Sequence, residues 1–234
     1  MTEDDATRRH AVPDDRIRQA ARLYERAVFG GEAEALEPAS RVLDAVEADL
    51  ALARGRVAHA RFLQGGEEDP AEPALFQQAL RLYQRLGDTR GEAESLFWTG
   101  CYHQVVRGDD DTAVPLLERS RELAARTADP LTASYALRHL GIAHHRAGRL
   151  AQARACLEES TRLRRELGFL PGVAANLVGL TYLAVQEGRR DDAVALAAEA
   201  GELAAGSGAH GVMRDVEEAR AALELPPAVR PNPS

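Results

Sequence analysis

The most reactive side chains lie in two short stretches of the sequence. Cys101 and His103 form the first, and His139, His144 and His145 form the second. Thiolates and imidazoles are common zinc ligands, and a thiol beside an imidazole can act as a nucleophile. Cys101 and His103 are two positions apart, so on a helix they would point about 200° apart. A reactive pair therefore needs a second helix, and Cys101 with His145 is the pairing that the sequence leaves open.

No sequence motif supports either kind of chemistry. The chain has no C-x-x-C or H-E-x-x-H zinc motif, no G-x-S-x-G nucleophile motif and no phosphate-binding loop. Lysine is absent, which excludes Schiff-base catalysis and the lysine of a phosphate-binding loop. The sequence therefore predicts no catalytic residue, no metal and no cofactor. A divergent enzyme that uses Cys101, Tyr135, Arg138 and His145 remains an alternative.

Charge and hydropathy exclude two classes of partner. The 234-residue chain carries a formal net charge of -8 and no arginine-rich arm, so it offers nucleic acid no concentrated positive surface. No stretch approaches the roughly 18 consecutive apolar residues of a membrane span. Two cysteines do not make a disulfide framework, and no apolar run follows the acidic N-terminus. These features predict a cytoplasmic protein that binds neither nucleic acid nor a membrane.

Four sets of residues recur along the chain, and the elements that carry them must position the reactive side chains. Gly108, Gly148 and Gly188 are 40 residues apart. The other sets, at 40 or 41 residues, are Ala113, Ala153 and Ala193; Leu117, Leu157 and Ala197; and Leu96, Leu137 and Leu177. A fixed period of this kind indicates a repeat architecture.

Each repeat is predicted to contain two amphipathic helices. In the middle repeat the first helix covers 133–147 and the second begins near Leu150. The apolar stripe of that second helix consists of Ala153, Leu157, Leu163 and Leu167. Glycine between the helices supplies the positive φ of a tight turn. Small residues such as Gly100 and Gly141 allow the paired helices to approach closely.

The recurring residues resemble the consensus of the tetratricopeptide-repeat family. The middle repeat carries the pattern at Leu137, Leu140, Gly141, His144, Gly148, Ala153, Leu157 and Ser160. The preceding repeat matches at Leu96, Gly100, His103, Ala113 and Leu117, and the following one at Leu177, Leu180, Ala193 and Ala200. Thr181 replaces the consensus glycine, and His103, His144 and Ala184 replace the consensus tyrosine. The period exceeds the usual 34 or so residues, so the sequence resembles the long-period variants of bacterial signalling and regulatory proteins.

The resemblance implies an all-α fold, a right-handed α-solenoid of antiparallel helix pairs with no sheet. Regular repeats are predicted at 90–129, 130–170 and 171–210, with degraded helix pairs at 14–50 and 51–89 and a capping helix at 211–224. Together they form one repeat domain over 14–225. Mobile segments are predicted at 1–13 and in the proline-rich tail, 226–234. The N-terminal pair is interpreted either as a cap or as a homodimer interface.

In this family the first helix of each repeat lines a concave groove. The binding residues that this implies here are Phe97, Cys101, Gln104, Tyr135, Arg138, His145, Arg146, Tyr182 and Gln186. Arg138 and Arg146 form a positive centre whose guanidinium groups suit a carboxylate or phosphate. The sequence thus predicts a non-enzymatic regulatory scaffold that binds a protein or peptide, with an acidic peptide or an anionic small molecule as the expected ligand. A small-molecule-sensing regulatory module that acts through a partner is a further alternative.

Overall fold

Residues 14–224, the part of the chain that the computed structural model describes, contain ten α-helices, one short 3-10 helix and no strand. Consecutive helices pack on each other in pairs, and the predicted all-α class is confirmed. The segments predicted to be mobile, 1–13 and 226–234, lie outside the described residues. The chain divides into two compact units, one up to Asp88 and one from Thr89 onward. The sequence predicts a single domain over 14–225, and that assignment stays a prediction.

Unit 1, the part up to Asp88, is built around one long helix. α1 covers Asp15–Phe29, a 3-10 helix covers Ala33–Ala35, α2 covers Leu36–Leu63 and α3 covers Ala71–Leu86. α2 packs against both α1 and α3. At Gly55 of α2 an added Cβ would lie 2.4 Å from Cε1 of Phe76 in α3. Because Gly55 has no side chain, the buried Phe76 ring fits between α2 and α3.

The length of α2 differs from the sequence-based expectation. A boundary between two helix pairs was predicted at 50–51, but α2 runs without a break across this point for 28 residues. Residues 45–54 are mostly alanine, leucine and other strong helix formers. Local propensity therefore continues the helix where the predicted repeat boundary would have ended it.

Unit 2, from Thr89 onward, contains seven described helices of similar length. They are α4 Thr89–Val105, α5 Asp110–Arg126, α6 Pro130–Arg146, α7 Leu150–Glu166, α8 Leu170–Gln186, α9 Arg190–Gly206 and α10 His210–Glu224. α4, α6, α8 and α10 contact one another in turn, and we call them the first-helix layer. In the described residues no close backbone contact joins α5 to α7 or α7 to α9. The first-helix layer is thus the more closely packed side of unit 2.

The repeated glycines at the helix joins adopt the conformation that their spacing predicts. Gly108, Gly148 and Gly188 have φ angles of 65°, 71° and 73°. This left-handed region is open to glycine and costs other residues steric strain. Each of these glycines lies between the two helices of one repeat, so the same backbone turn recurs at the same place.

A second glycine series brings the two helices of a repeat together. An added Cβ would lie 2.9 Å from Leu117 Cγ if placed at Gly100, and 2.9 Å from Leu157 Cγ if placed at Gly141. The predicted close approach is therefore confirmed in both repeats. In the third repeat the equivalent positions hold the buried Thr181 and a buried alanine, so a larger residue on the first helix accompanies a smaller one on the second.

The buried face of α7 corrects one predicted stripe. Ala153 and Leu157 are buried as expected, but Leu163 is only half-buried and Leu167 is 43% exposed. Arg164 takes the buried position, with 2% exposure. The prediction that Leu163 and Leu167 continue the buried apolar stripe is therefore wrong, because the charged Arg164 occupies the position that faces inward.

Candidate functional site

The nine residues predicted to bind a ligand lie on the first-helix layer but differ widely in accessibility. Phe97, Cys101 and Gln104 are buried, with 2%, 3% and 1% exposure. The half-buried residues are Tyr135, Arg138, His145 and Tyr182, and the exposed ones are Arg146 and Gln186. Hydrogen bonds and ring contacts divide these residues into three groups.

The first group places a thiol, an imidazole and an amide in a row between α4 and α6. Cys101 Sγ lies 3.8 Å from His139 Nε2, and His139 Nδ1 lies 2.6 Å from Gln104 Oε1. Gln104 Nε2 donates to Asp110 Oδ1 at 2.8 Å and to the His139 carbonyl at 3.1 Å. Because the amide nitrogen is the donor, Oε1 accepts from Nδ1–H of the imidazole. The Nε2 atom of His139 is then the acceptor that faces the thiol.

This row does not contain the pairing of Cys101 with His145 that the sequence leaves open. His139 lies beside the thiol, whereas His145 Nε2 is 2.7 Å from Gln186 Oε1. A thiol paired with an imidazole suits nucleophilic catalysis, but the nucleophile must also reach a substrate. Cys101 is 3% exposed and belongs to an apolar cluster with Phe97. In this structure the row therefore serves as a buried polar link between α4 and α6.

The second group surrounds a guanidinium that the sequence analysis did not single out. Arg164 of α7 is 2% exposed and lies 4.9 Å from the Tyr135 ring centroid and 5.5 Å from that of Phe169. Its Nη1 donates to the Gly172 carbonyl at 2.8 Å and to Asn176 Oδ1 at 3.0 Å. Its Nη2 is buried without a hydrogen-bond partner among residues 14–224. Aromatic faces and neutral oxygens therefore surround this cation.

Arg138 of α6 bonds to the same side-chain amide. Its Nη1 donates to the Ala175 carbonyl at 2.7 Å and to Asn176 Oδ1 at 3.3 Å. Burial lowers the pKa of Arg138, while the charge of Asp215 opposes that change. Burial, and next the charge of Arg138, lower the pKa of Arg164 to about 10. No carboxylate in the described range lies within ion-pair distance of either guanidinium, so two cations share one neutral acceptor.

The third group lies toward the C-terminal ends of α6 and α8. Arg146 Nη1 forms an ion pair with Asp110 Oδ1 at 3.3 Å. Burial raises the pKa of Tyr182, and the charges of Glu218 and Asp215 raise it further. The predicted positive centre is therefore divided, because Arg146 pairs with a carboxylate. The cation that shares an acceptor with Arg138 is Arg164 instead, since both donate to Asn176 Oδ1.

The sequence contains a signal for two buried polar residues of this region, Arg164 and Asn176. Arg164 continues the series Ala153, Leu157 and Ser160 at intervals of four, three and four, which places it on the same helix face. Asn176 is a polar residue within the mostly apolar helix α8. The first signal is weak because arginine is rarely fully buried in proteins.

Several alternative sites can be compared with the structure of residues 14–224. No group of three or more His, Cys, Asp or Glu side chains in this range is arranged to hold a metal ion. One G-x-G-x-x-G sequence occurs, at Gly206, Gly208 and Gly211, but it joins α9 to α10. A dinucleotide fingerprint requires a preceding strand. None of the described helices combines the length and apolar character needed to cross a bilayer.

A cavity of about 520 Å³ lies between α5, the start of α6 and α7. Its walls are mainly apolar, and Arg121, Asp129 and Glu159 supply charged groups. Ala128, which also lines it, has a φ of 49°, in the left-handed region. That conformation costs a non-glycine residue about 1–2 kcal/mol. The cavity thus combines an apolar surface, three charged side chains and one strained backbone position.

Comparison with known families identifies the repeats. Residues 101–166, from the second half of α4 to the end of α7, match a family model described as tetratricopeptide repeat. No curated protein sequence matches this chain. The family suggests a protein-interaction scaffold. The resemblance carried by the repeated glycines, alanines and leucines is therefore confirmed for residues 101–166, which carry repeats of the tetratricopeptide-repeat family, and the long-period variant stays a prediction.

Proposed function

We propose that unit 2 is a non-enzymatic interaction module whose first-helix layer binds a protein or peptide segment with an acidic side chain. Arg138 is the observation that carries this proposal. It is a half-buried cation whose contacts in the described residues are a carbonyl and an amide oxygen rather than a carboxylate. A ligand carboxylate would supply the missing opposite charge.

The hydrogen-bonding capacity of Arg138 supports an anionic ligand. Nη1 makes both of the contacts that Arg138 forms, so Nε and Nη2 remain available as donors in this part of the chain. A guanidinium fork binds a carboxylate through two parallel N–H bonds. Such a bond is stronger where the site is partly shielded from water. Asp215 acts on Arg138 only from beyond ion-pair distance and leaves the fork open.

Aromatic side chains in the same layer support a peptide rather than a free ion. Tyr135 of α6 and Tyr182 of α8 are half-buried, and each combines an apolar ring with a polar hydroxyl. Residues of this kind are enriched in protein interfaces for that reason. The proposal also includes a regulatory role in a bacterial cytoplasm, which rests on the resemblance to long-period repeats of bacterial regulators.

Selection from a random peptide library displayed on phage tests this function. We expect the full chain to enrich peptides with Asp or Glu, and Arg138→Gln to lower their affinity more than about tenfold because a charge-assisted bond is lost. Arg162→Gln is the matched control, since Arg162 lies on α7 and pairs with Glu159 and Glu166. A lack of enriched peptides, or equal binding by the Arg138→Gln and Arg162→Gln variants, would contradict the proposal.

The cavity between α5 and α7 favours a second candidate, a small-molecule-sensing module that acts through a partner. Its volume of about 520 Å³ and its mainly apolar walls suit a drug-sized apolar ligand with one polar group. A thermal-shift screen of metabolite-like compounds tests this function. Ligands that stabilise the wild type should fail to stabilise Ala125→Trp, which fills the cavity from an exposed wall position. Equal stabilisation of both proteins would place the ligand elsewhere.

A further inference from the structure

We infer that unit 1 binds a second copy of this chain through the exposed face of α2, with the two α2 helices antiparallel. The proposal is independent of ligand binding by unit 2. It rests on three features of α2: a row of exposed aliphatic residues, a row of small residues beside it, and a reversal of charge along the helix.

The aliphatic row repeats every seven residues. Leu36, Leu43, Leu50 and Val57 are 50%, 47%, 48% and 51% exposed, although α2 already packs on α1 and α3. A seven-residue repeat keeps one stripe of a helix facing a partner helix along its whole length. Single exposed leucines are ordinary, but four in line form a continuous apolar patch, which is typical of an interface. The stripe spans three complete heptads of the 28-residue helix.

Three positions after each of Leu43, Leu50 and Val57 stands a residue of equal or smaller size. They are Val46, Ala53 and Ala60, so the two rows have the spacing of the a and d positions of a coiled coil. In an antiparallel arrangement centred near residues 51 and 52, Leu50 faces Ala53 of the second copy. Leu43 then faces Ala60 of the second copy. A large residue meets a small one in these layers, which allows the helices to approach closely.

Charge along α2 selects the antiparallel orientation. The N-terminal half is acidic overall, with Glu37, Asp44, Glu47 and Asp49 against the single Arg41, and the charged residues of the C-terminal half are Arg54, Arg56 and Arg61. Two antiparallel copies place the acidic half of one helix beside the basic half of the other, whereas two parallel copies place like charges side by side. Complementary charges of this kind fix the register and orientation of an interface.

The positions that carry this pairing are available within unit 1. Glu47 accepts a hydrogen bond from the neutral Gln78, and no ion pair holds Arg54 in the described residues. Asp44 and Asp49 contribute less, because Arg85 already pairs with Asp44 at 3.5 Å and Arg16 with Asp49 at 2.6 Å. We therefore assign the specific contact to Glu47 of each copy with Arg54 of the other, which a two-fold axis repeats on both sides.

Sedimentation velocity on the full chain tests the interface. We expect a concentration-dependent dimer in the wild type, and a monomer when Leu43 and Leu50 are both replaced by glutamate. Leu131→Glu is the matched control, because Leu131 is 42% exposed but belongs to unit 2. Circular dichroism should show unchanged helicity in every variant. A monomeric wild type, or a dimer that survives the double substitution, would overturn the proposal.

Charge exchange tests the orientation separately. Glu47→Arg alone and Arg54→Glu alone should each weaken the dimer more than about tenfold, since like charges then meet at both symmetric contacts. An equimolar mixture of the two variants should restore it, because each new arginine faces a glutamate of the other chain. If the mixture stays monomeric while the wild type dimerises, the antiparallel pairing is wrong.

Discussion

Asn176 Oδ1 lies 3.0 Å from Arg164 Nη1, and both side chains are almost completely buried. The same amide donates through Nδ2 to Ser160 Oγ at 2.8 Å and accepts from Arg138 at 3.3 Å. One asparagine therefore joins α6, α7 and α8. Since a buried charge needs hydrogen bonds to offset its lost hydration, this amide is central to the stability of unit 2.

Asn176→Ala should lower the free energy of unfolding by about 3 kcal/mol, because it leaves a buried cation and a buried hydroxyl with fewer partners. Urea unfolding followed by circular dichroism measures the change. Gln152→Ala, an exposed amide on α7, is the control and should change the free energy by less than about 0.5 kcal/mol. A loss below about 1 kcal/mol for Asn176→Ala would show that the network contributes little.

Ala128→Gly should stabilise the protein by about 0.5–1 kcal/mol. The residue has a φ of 49°, and glycine relieves this strain while losing somewhat more backbone freedom on folding. The equivalent positions 40 residues on hold Gly168 and Gly208, with φ of 67° and 66°. Gly168→Ala is therefore the reverse experiment and should destabilise. Thermal unfolding measures the stability of both variants relative to wild type. If both substitutions change the stability in the same direction, the strain argument is contradicted.

Gly141→Ala should cost about 1–3 kcal/mol, because its Cβ would lie 2.9 Å from Leu157 Cγ. Leu157→Ala should cost about 2–5 kcal/mol through the cavity that it leaves. The double variant should lose at least about 1 kcal/mol less than the sum, since the smaller residue makes room for the new methyl group. Additive losses in urea unfolding would show that the two positions are not coupled.

The buried pair in unit 1 should make stability depend on pH. Glu72 Oε1 lies 2.8 Å from His59 Nδ1, and burial raises the pKa of Glu72 more than His59 lowers it. The folded state then keeps the Glu72 proton at pH values where the unfolded chain releases it. This contribution to the free energy of unfolding is complete below about 4.5, the ordinary pKa of the group, and falls as pH rises through the raised pKa.

Glu72→Gln should remove this dependence, so the stability of the variant relative to wild type should increase with pH across that window. Urea titrations from about pH 4 to pH 8 measure the difference. Glu67→Gln, an exposed change in the preceding loop, should follow the wild type. A constant difference between wild type and Glu72→Gln over the whole range would exclude Glu72 as the source.

Sequence reasoning succeeded where backbone geometry restricts the residue type. Only glycine adopts the positive φ of Gly148 without strain, and at Gly141 any side chain would collide with Leu157. The 40-residue spacing of glycine and leucine therefore located the repeats. It failed at α2, because alanine and leucine are compatible with one long helix or with two shorter ones. Repeat resemblance then imposed a boundary that the chain does not have.

The site was less predictable because a side chain's role depends on neighbours from other helices. Arg138 and Arg146 are alike in sequence, but Arg146 faces Asp110 whereas Arg138 faces a carbonyl and an amide. For the same reason the pairing of Cys101 with His145, which the sequence leaves open, does not form: the thiol lies beside His139, six residues earlier on α6. Spacing identifies the face of a helix, but the partner comes from the packing.

The position of α10 determines how unit 2 should come apart. α10 contacts α8 and α9, and in the described residues no further helix packs on it, whereas α6 touches α4, α5, α7 and α8. In a linear array a helix is held only by its neighbours, so a helix with fewer neighbours opens at a lower free energy. Amide hydrogens of α10 should therefore exchange well before those of α6. Each opening of α10 should also withdraw the charge of Asp215 from Arg138 and those of Asp215 and Glu218 from Tyr182, so this motion should make the surface around Arg138 more electropositive.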